Sequence, residues 1–351
     1  MAENGFAAGP AAARQADLTY VSDADPGLRR KRSGKGFRYL APDGRTVADR
    51  SILARIRALA IPPAWTDVWI CPSGSGHIQA TGRDARGRKQ YRYHPDWTAC
   101  RDDAKFGSLV DFASALPKLR ARIETDLSRR DLSRGCIVAS IAWLMDNAML
   151  RVGNEIYARS NRSFGATTLH SRHVAIEGSR IRFAFTGKSG KQWQLGLADR
   201  RIAAVIRRVQ ELPGQRLFQY IDEDGARREI HSQDVNAYIR EAIGDRFSSR
   251  HFRTWGATNA AAMLFAHAAL PETKRQAAQA ANAVIDQVAA RLNNTRAVCR
   301  RSYIHPAVIE AWTEGRFGDD LAAMRRRCPR PLKGLSAGES TLLRWLREKT
   351  P

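Results

Sequence analysis

The sequence predicts an α+β protein in two parts, a small β-rich N-terminal domain followed by a larger, mainly helical domain that carries a small antiparallel sheet. Three observations carry that prediction. Residues 36–93 alternate in strand fashion around Gly-rich turns, apolar residues recur at helical spacing beyond Pro117, and three short alternating segments interrupt the helical pattern between His173 and Leu197. With 351 residues, 43% of them hydrophobic, the chain has enough apolar material for two or three domains and a substantial core.

Residues 1–17 are rich in Ala and Gly and have neither the basic start nor the continuous apolar run of a secretory signal. They are expected to be disordered, and residues 1–29 as a whole form the predicted N-terminal extension. The basic run Arg29-Arg-Lys-Arg-Ser-Gly-Lys-Gly leads into a short strand at Phe37–Leu40 and the turn Ala41-Pro-Asp-Gly. Ser51–Ala60 sets Ile52, Ile56 and Leu59 on one helical stripe, Pro62-Pro63 ends it, and Trp65–Cys71 resumes as strand. Gly76–Pro95 reads as a β-hairpin around a turn rich in Gly and Arg. The N-terminal domain therefore spans residues 30–100. The polar stretch Trp97–Gly107 lacks an apolar period, so residues 101–110 read as a linker.

The second domain is expected over residues 111–317, with a basic extension at 318–351. Pro117–Arg129 has Leu119, Ile123 and Leu127 at helical spacing, and Ile137–Leu150 is so continuously apolar that it must be buried. It delivers Arg151-Val-Gly-Asn-Glu. An arginine at the end of a buried helix calls for an anion, and Glu155 is spaced to hold its guanidinium if the helix continues. His173–Ile176, Arg180–Thr186 and Gln192–Leu197 form the small sheet, which puts Lys188 in a tight turn. The Gly-Lys-Ser there is not a phosphate-binding loop, because the upstream glycine is missing and a strand follows. Helices at Asp199–Leu212 and Ser232–Ile243 flank a short β excursion near Gly225. Arg250-His-Phe-Arg-Thr-Trp opens an Ala-rich helix to about Leu270, and Pro271 stands in the first turn of a helix reaching Leu292. Ser340–Glu348 makes a last short helix.

Charge narrows the function. With 58 Lys+Arg against 35 Asp+Glu, the net charge is +23 and the pI about 10.7, which points to a polyanion, nucleic acid first among them. No run of about 18 apolar residues is present to span a bilayer. The five cysteines form no C-x-x-C pair and no cluster with His at metal spacing, which argues for a reducing compartment, taken as the cytoplasm, and against structural zinc. Neither a Walker motif nor a carboxylate cluster suits a nucleotide or a divalent ion, so no cofactor is expected.

Tyr303 stands out among arginines in RLNNTRAVCRRSYIHP. A phenol titrates near pH ~10 when unperturbed, and nearby guanidinium groups favour its ionised form. Arg300 and Arg301 adjoin it, and Asn294 offers a neutral hydrogen-bond donor if the segment folds back. Taken alone, such a tyrosine reads equally as a core ring beside a solvated face. In the hairpin, Gln90, Tyr91 and Tyr93 follow Arg88 and Lys89, setting groups suited to base edges beside cations suited to phosphates. Tyr91 and Tyr93 fall on one face and Gln90 and Arg92 on the other, and paired tyrosines are also ordinary cross-sheet packing. Cys299 reads as packed, and His305 as structural or phosphate-contacting.

These residues carry a resemblance. Arg151 in RVGNE, Lys188 in FTGKSG, Arg253 in RHFRTW, Asn294, and Tyr303 in SYIHP resemble, in order and spacing, the catalytic set of the type IB DNA topoisomerases, most nearly the compact branch of bacteria and poxviruses. The hairpin GRDARGRKQYRYHP resembles that family's DNA-contacting segment, and the likeness covers roughly Arg30 to Gly315. Position 294 is His in many relatives, and the tail beyond about Phe317 lies outside the family core. The resemblance implies that Tyr303 attacks a phosphodiester of duplex DNA, forming a 3′-phosphotyrosine, and that religation reverses the step. Supercoils of both signs would relax without ATP or metal. Arg151, Arg253 and Asn294 would hold the non-bridging oxygens, Lys188 would protonate the leaving 5′-oxygen, and Arg250 would assist. Arg88, Lys89, Gln90, Tyr91 and Tyr93 would touch DNA, and a monomer would close around the nucleoid duplex as a clamp.

Two other readings compete. A tyrosine recombinase shares this chemistry, but its pattern wants His three residues before the second arginine, where this chain has Arg250 with His251 out of register; its usual start is helical, and position 294 is typically His or Trp. A non-catalytic architectural DNA-binding protein accounts for the charge but not for the spacing of the five residues.

Overall fold

The structure, a computed structural model, describes residues 9–129 and 131–349. The chain divides into two compact units between Phe106 and Gly107.

The first unit is built on five antiparallel strands, β1 (Leu28–Ser33), β2 (Gly36–Leu40), β3 (Thr66–Ile70), β4 (Ile78–Arg83) and β5 (Lys89–Tyr93), in the order β2-β1-β3-β4-β5. Helix α2 (Arg50–Ala58) starts where the Asp49 carboxylate accepts the Ser51 and Ile52 amides at 2.7 and 3.3 Å. Its Ile56 completes a core with Leu28, Val68, Ile70 and Ala80.

Residues 9–29 are not the disordered extension expected of them. Helix α1 (Pro10–Gln15) and Leu18 pack with Trp97, because Ala12 and Ala13 are small enough to lie flat against an aromatic ring. Tyr20 stacks on His77 at 4.1 Å, and Trp69 donates its indole N–H to Asp25 at 3.0 Å. Gly27 lies so close to that indole that a Cβ would come within 2.0 Å of it. The expected disorder of residues 1–8 lies outside the described residues.

Residues 101–110, expected as a linker, are helical. They lie within α3 (Pro95–Ser128), where Phe106 and Leu109 are buried and continue the spacing of Leu116, Leu119, Ile123 and Leu127. The charged residues of that stretch are the outward positions of a helix, and they masked its period.

The second unit is mainly helical. Helix α4 (Arg134–Ala148), capped by Ser133, is buried over most of its circumference, as its continuous apolar sequence requires. After α5 (Glu155–Asn161) come the three-stranded sheet β6 (Val174–Glu177), β7 (Arg180–Thr186) and β8 (Gln192–Ala198), then α6 (Arg200–Gln210) and the two-stranded β9 (Gln219–Ile221) and β10 (Arg227–Glu229). Helices α7 (Ser232–Ile243), α8 (Arg250–His267), α9 (Lys274–Leu292), α10 (Arg296–Ser302), α11 (Pro306–Thr313), α12 (Phe317–Arg327) and α13 (Ala337–Lys349) complete it. Helix α8 is central, with α4, α9, α11, α12 and α13 packed on it. Helix α9 begins later than expected: Thr273 accepts the Gln276 amide, and Pro271 stands outside the first turn.

The stretch after 317 is not a loose basic tail. Helix α12 covers part of α8, and α13 buries Leu342, Leu343, Trp345 and Leu346. No described helix is long and apolar enough to cross a membrane.

Candidate active site

The residues singled out as catalytic come together in the second unit, held at the ends of buried elements. Arg151 follows α4, which closes on Met149 in the left-handed conformation (φ 51°). The loop is then pinned: the Ala166 amide donates to the Arg151 carbonyl at 2.8 Å, and Thr167 donates its amide and hydroxyl to the Val152 carbonyl at 2.7 and 2.9 Å. A Cβ on Gly165 would lie 2.7 Å from the Arg151 carbonyl, so only glycine allows this approach. The expected partner Glu155 does not hold Arg151. The helix stops before it, and Glu155 begins α5 and pairs with Arg216 instead.

The Arg151 guanidinium donates from Nη1 to the Tyr303 hydroxyl at 3.2 Å and from Nη2 to Asn294 Oδ1 at 2.8 Å. Asn294 reaches this point because Asn293 ends α9 in the left-handed conformation, and the Asn294 amide then bonds the Ala289 carbonyl at 2.9 Å. Asn293 also donates to the Gln192 carbonyl at 2.7 Å, tying the end of α9 to β8. Lys188 lies in the short 3₁₀ turn between β7 and β8.

Arg253, in the first turn of α8, is buried. Its Nη1 donates to the Met149 carbonyl and its Nη2 to the Leu292 carbonyl at 2.8 Å, so the two helix ends flanking the site fix its fork. The guanidinium carbon stands 5.2 Å from the Tyr303 ring centre. Tyr303 caps α10, and the Thr258 hydroxyl of α8 donates to its carbonyl at 3.1 Å while accepting the His305 amide at 3.1 Å. Thr258 carried no signal in the sequence, since a buried threonine in an Ala-rich helix reads as packing.

The electrostatics follow from this crowding of cations. Burial pushes the Tyr303 phenol up, but Arg151 and then Arg253 outweigh it and bring it down to about 8. The stabilising arginines are thus not the chain neighbours Arg300 and Arg301, which are exposed, but residues distant in sequence. Desolvation lowers Arg253 to about 10, with Arg151 adding repulsion. Lys188 is exposed as a residue, yet its ammonium titrates below the ordinary lysine range, through partial desolvation first, then Arg151. Arg250, at the exposed first position of α8, adds to that repulsion. Two buried donors, Arg253 Nε and Asn294 Nδ2, have no hydrogen-bond partner in the protein. Unsatisfied buried donors are costly, and donors beside a nucleophile suit an anionic oxygen.

Cys299 is packed, and burial raises its thiol to about 11. His305 accepts the Ala307 amide and caps α11. Among the described residues, no group of His, Cys, Asp and Glu could hold a metal ion.

The hairpin residues form a separate cluster in the first unit. Tyr91 and Tyr93 share one face and stack at 5.7 Å. Their cationic neighbours are tied to acids that sequence reasoning passed over. Arg88 and Gln90 both donate to Asp84, at 2.8 and 3.0 Å, and Lys89 pairs with Asp23. Asp84 is held down to about 2, chiefly by Arg88.

A site with a cation-activated tyrosine, one buried and one half-buried guanidinium group and a nearby ammonium is built for phosphoryl transfer to a protein hydroxyl. Residues 94–318 match the family described as eukaryotic DNA topoisomerase I, catalytic core, and residues 36–84 match the bacterial DNA topoisomerase IB N-terminal domain. The chain belongs to the type IB DNA topoisomerases. Among curated proteins it is similar to the DNA topoisomerase 1B of Acanthamoeba polyphaga mimivirus, at 33% identity over 297 residues, covering 82% of this chain and 87% of the relative. The expected type IB assignment therefore holds, and neither the recombinase nor the architectural reading is favoured.

Proposed function

We propose that Tyr303 is the nucleophile through which this enzyme relaxes DNA supercoils of either sign. The observation that carries this is the Tyr303 hydroxyl held by Arg151, with its phenol drawn to about 8. At pH 7 a phenol of that acidity is about 10% ionised, roughly a hundredfold more than an unperturbed one. Its oxygen forms a bond to the scissile phosphorus as the bond to the 5′-oxygen breaks, leaving a 3′-phosphotyrosine and a free 5′-hydroxyl.

Phosphoryl transfer asks chiefly for alignment and charge stabilisation. Arg151, Arg253 and Asn294 receive the charge on the non-bridging oxygens, the last two through their unpartnered donors. Lys188, lowered towards neutrality, gives its proton to the 5′-oxygen, and Arg250 assists by keeping that ammonium acidic. Religation reverses each transfer, and the phosphodiester energy stays in the covalent bond, so ATP is not consumed.

Arg88, Lys89, Gln90, Tyr91 and Tyr93 contact the duplex, with Asp23 and Asp84 giving way to phosphates. The N-terminal unit and the catalytic unit close on DNA as a monomeric clamp, and the enzyme resides with the chromosome, in the cytoplasmic nucleoid of a bacterial cell. Purified Tyr303→Phe protein should bind plasmid normally and leave it supercoiled; relaxation at the unsubstituted rate would refute the assignment.

A further inference from the structure

The match to the catalytic core ends at residue 318, yet the segment after it reaches back to the elements that bear the catalytic arginines. Glu339 occupies the first turn of α13, where its amide donates to Ser336 Oγ at 3.2 Å and its carboxylate accepts the Ser336 amide at 2.9 Å, a capping box. The same carboxylate also leaves its own helix. Its Oε1 accepts Trp255 Nε1 of α8 at 3.0 Å and Arg120 Nη2 of α3 at 2.8 Å, while Oε2 accepts Arg120 Nη1 at 3.0 Å.

Arg120 then donates to Asp146 of α4 from Nε and Nη2, at 2.7 and 3.1 Å, and to the Gly334 carbonyl at 2.9 Å. Glu339 is only 7% exposed. Trp255 lies two residues beyond Arg253 on one helix, and Asp146 lies five residues before Arg151 at the end of another. One half-buried guanidinium and one buried carboxylate thus tie together the supports of both arginines. Removing Arg120 takes the shared cation from both Glu339 and Asp146, while neutralising Glu339 leaves Arg120 on Asp146 alone and weakens the acceptor of Trp255 Nε1, so the tie from α13 to α3 and α8 loosens.

We infer that Glu339 and Arg120 are positioning residues of the reaction, setting the placement of Arg151 and Arg253 about Tyr303, so that the C-terminal segment belongs to the catalytic frame. This rests on the reading that Arg151 and Arg253 hold the transferring phosphate.

The test uses full-length Glu339→Gln and Trp255→Phe proteins, well below their melting temperatures. Single-turnover cleavage of a duplex, DNA affinity and the pH profile of cleavage are measured for each. Glu339→Gln should cleave about 10- to 100-fold more slowly at unchanged affinity, as expected for misalignment on the ångström scale. Its pH profile should move above the wild-type midpoint, because the phenol loses its cations. Trp255→Phe, which deletes the indole N–H to Glu339 together with part of a buried ring, should show the same effects more weakly, and it decides the matter if Glu339→Gln does not fold. Glu348→Gln, which lies in α13 and breaks only the exposed pair with Arg327 of α12, should match the wild type. Wild-type rates and profiles in both variants, with only a lowered melting temperature, would overturn the inference and leave a structural brace. If Arg151→Ala and Arg253→Ala also cleave normally, the underlying reading fails with it; if those two are inactive, the positioning claim alone fails.

Discussion

Replacing Arg151 by alanine should separate its two contributions. The guanidinium holds the Tyr303 hydroxyl at 3.2 Å and is foremost among the cations that bring the phenol down to about 8 against the opposing effect of burial. Without it, burial is opposed by Arg253 alone and the phenol rises back towards its ordinary range. Since the reactive phenolate fraction falls tenfold for each unit that pH lies below the pKa, this costs up to about 100-fold at pH 7. Loss of a donor to the non-bridging oxygens adds a further 10²–10³-fold or so at every pH. Single-turnover cleavage of a duplex, trapped by denaturation between pH 6 and 10, reads both. The wild-type rate should level off above about pH 8, whereas the Arg151→Ala rate should still be climbing near pH 9.5 and lie far below it throughout. A variant whose rate levels off at the same pH as the wild type would refute the argument that Arg151 ionises the tyrosine.

Two further substitutions probe the neighbours. Thr258→Val keeps the shape of a fully buried side chain but strips partners from the Tyr303 carbonyl and the His305 amide. It should cost about 1–3 kcal/mol in denaturant unfolding and slow cleavage without weakening DNA binding. Asn294→Ala removes a buried donor and should lower the cleavage rate by about 10²–10³-fold, whereas Asn294→His restores an N–H and should recover much of it; equal rates for the two would remove Asn294 from transition-state binding.

What the sequence made legible was local. The hairpin around Asp84–Arg88, the sheet that presents Lys188 and the buried helix before Arg151 all follow from turn residues and apolar period. The misreadings share the opposite origin. Arg300 and Arg301 looked like the partners of Tyr303 because they adjoin it, yet the phenol is held by Arg151, 152 positions away, and Asn294 meets the same arginine across 143 positions. Glu155 was assigned to Arg151 on helical spacing, and the left-handed turn at Met149 ended that helix first. The charge of residues 101–110 hid a continuous helix, and the Arg-rich stretch after 317 hid α12, whereas the last helix was legible but not its packing on α8. Composition describes what faces solvent, whereas long-range pairings such as Glu339 with Arg120 leave no periodic trace.

The central claim is that Tyr303 carries the DNA through a 3′-phosphodiester bond. The direct measurement is to denature the enzyme while it relaxes plasmid in EDTA without ATP, digest the protein-linked DNA, and locate the modified residue by mass spectrometry. The account predicts relaxation of both supercoil signs and a single nucleotide adduct on Tyr303, joined through the DNA 3′ end. An adduct on another residue, linkage through the 5′ end, or relaxation with no covalent species at all would contradict it.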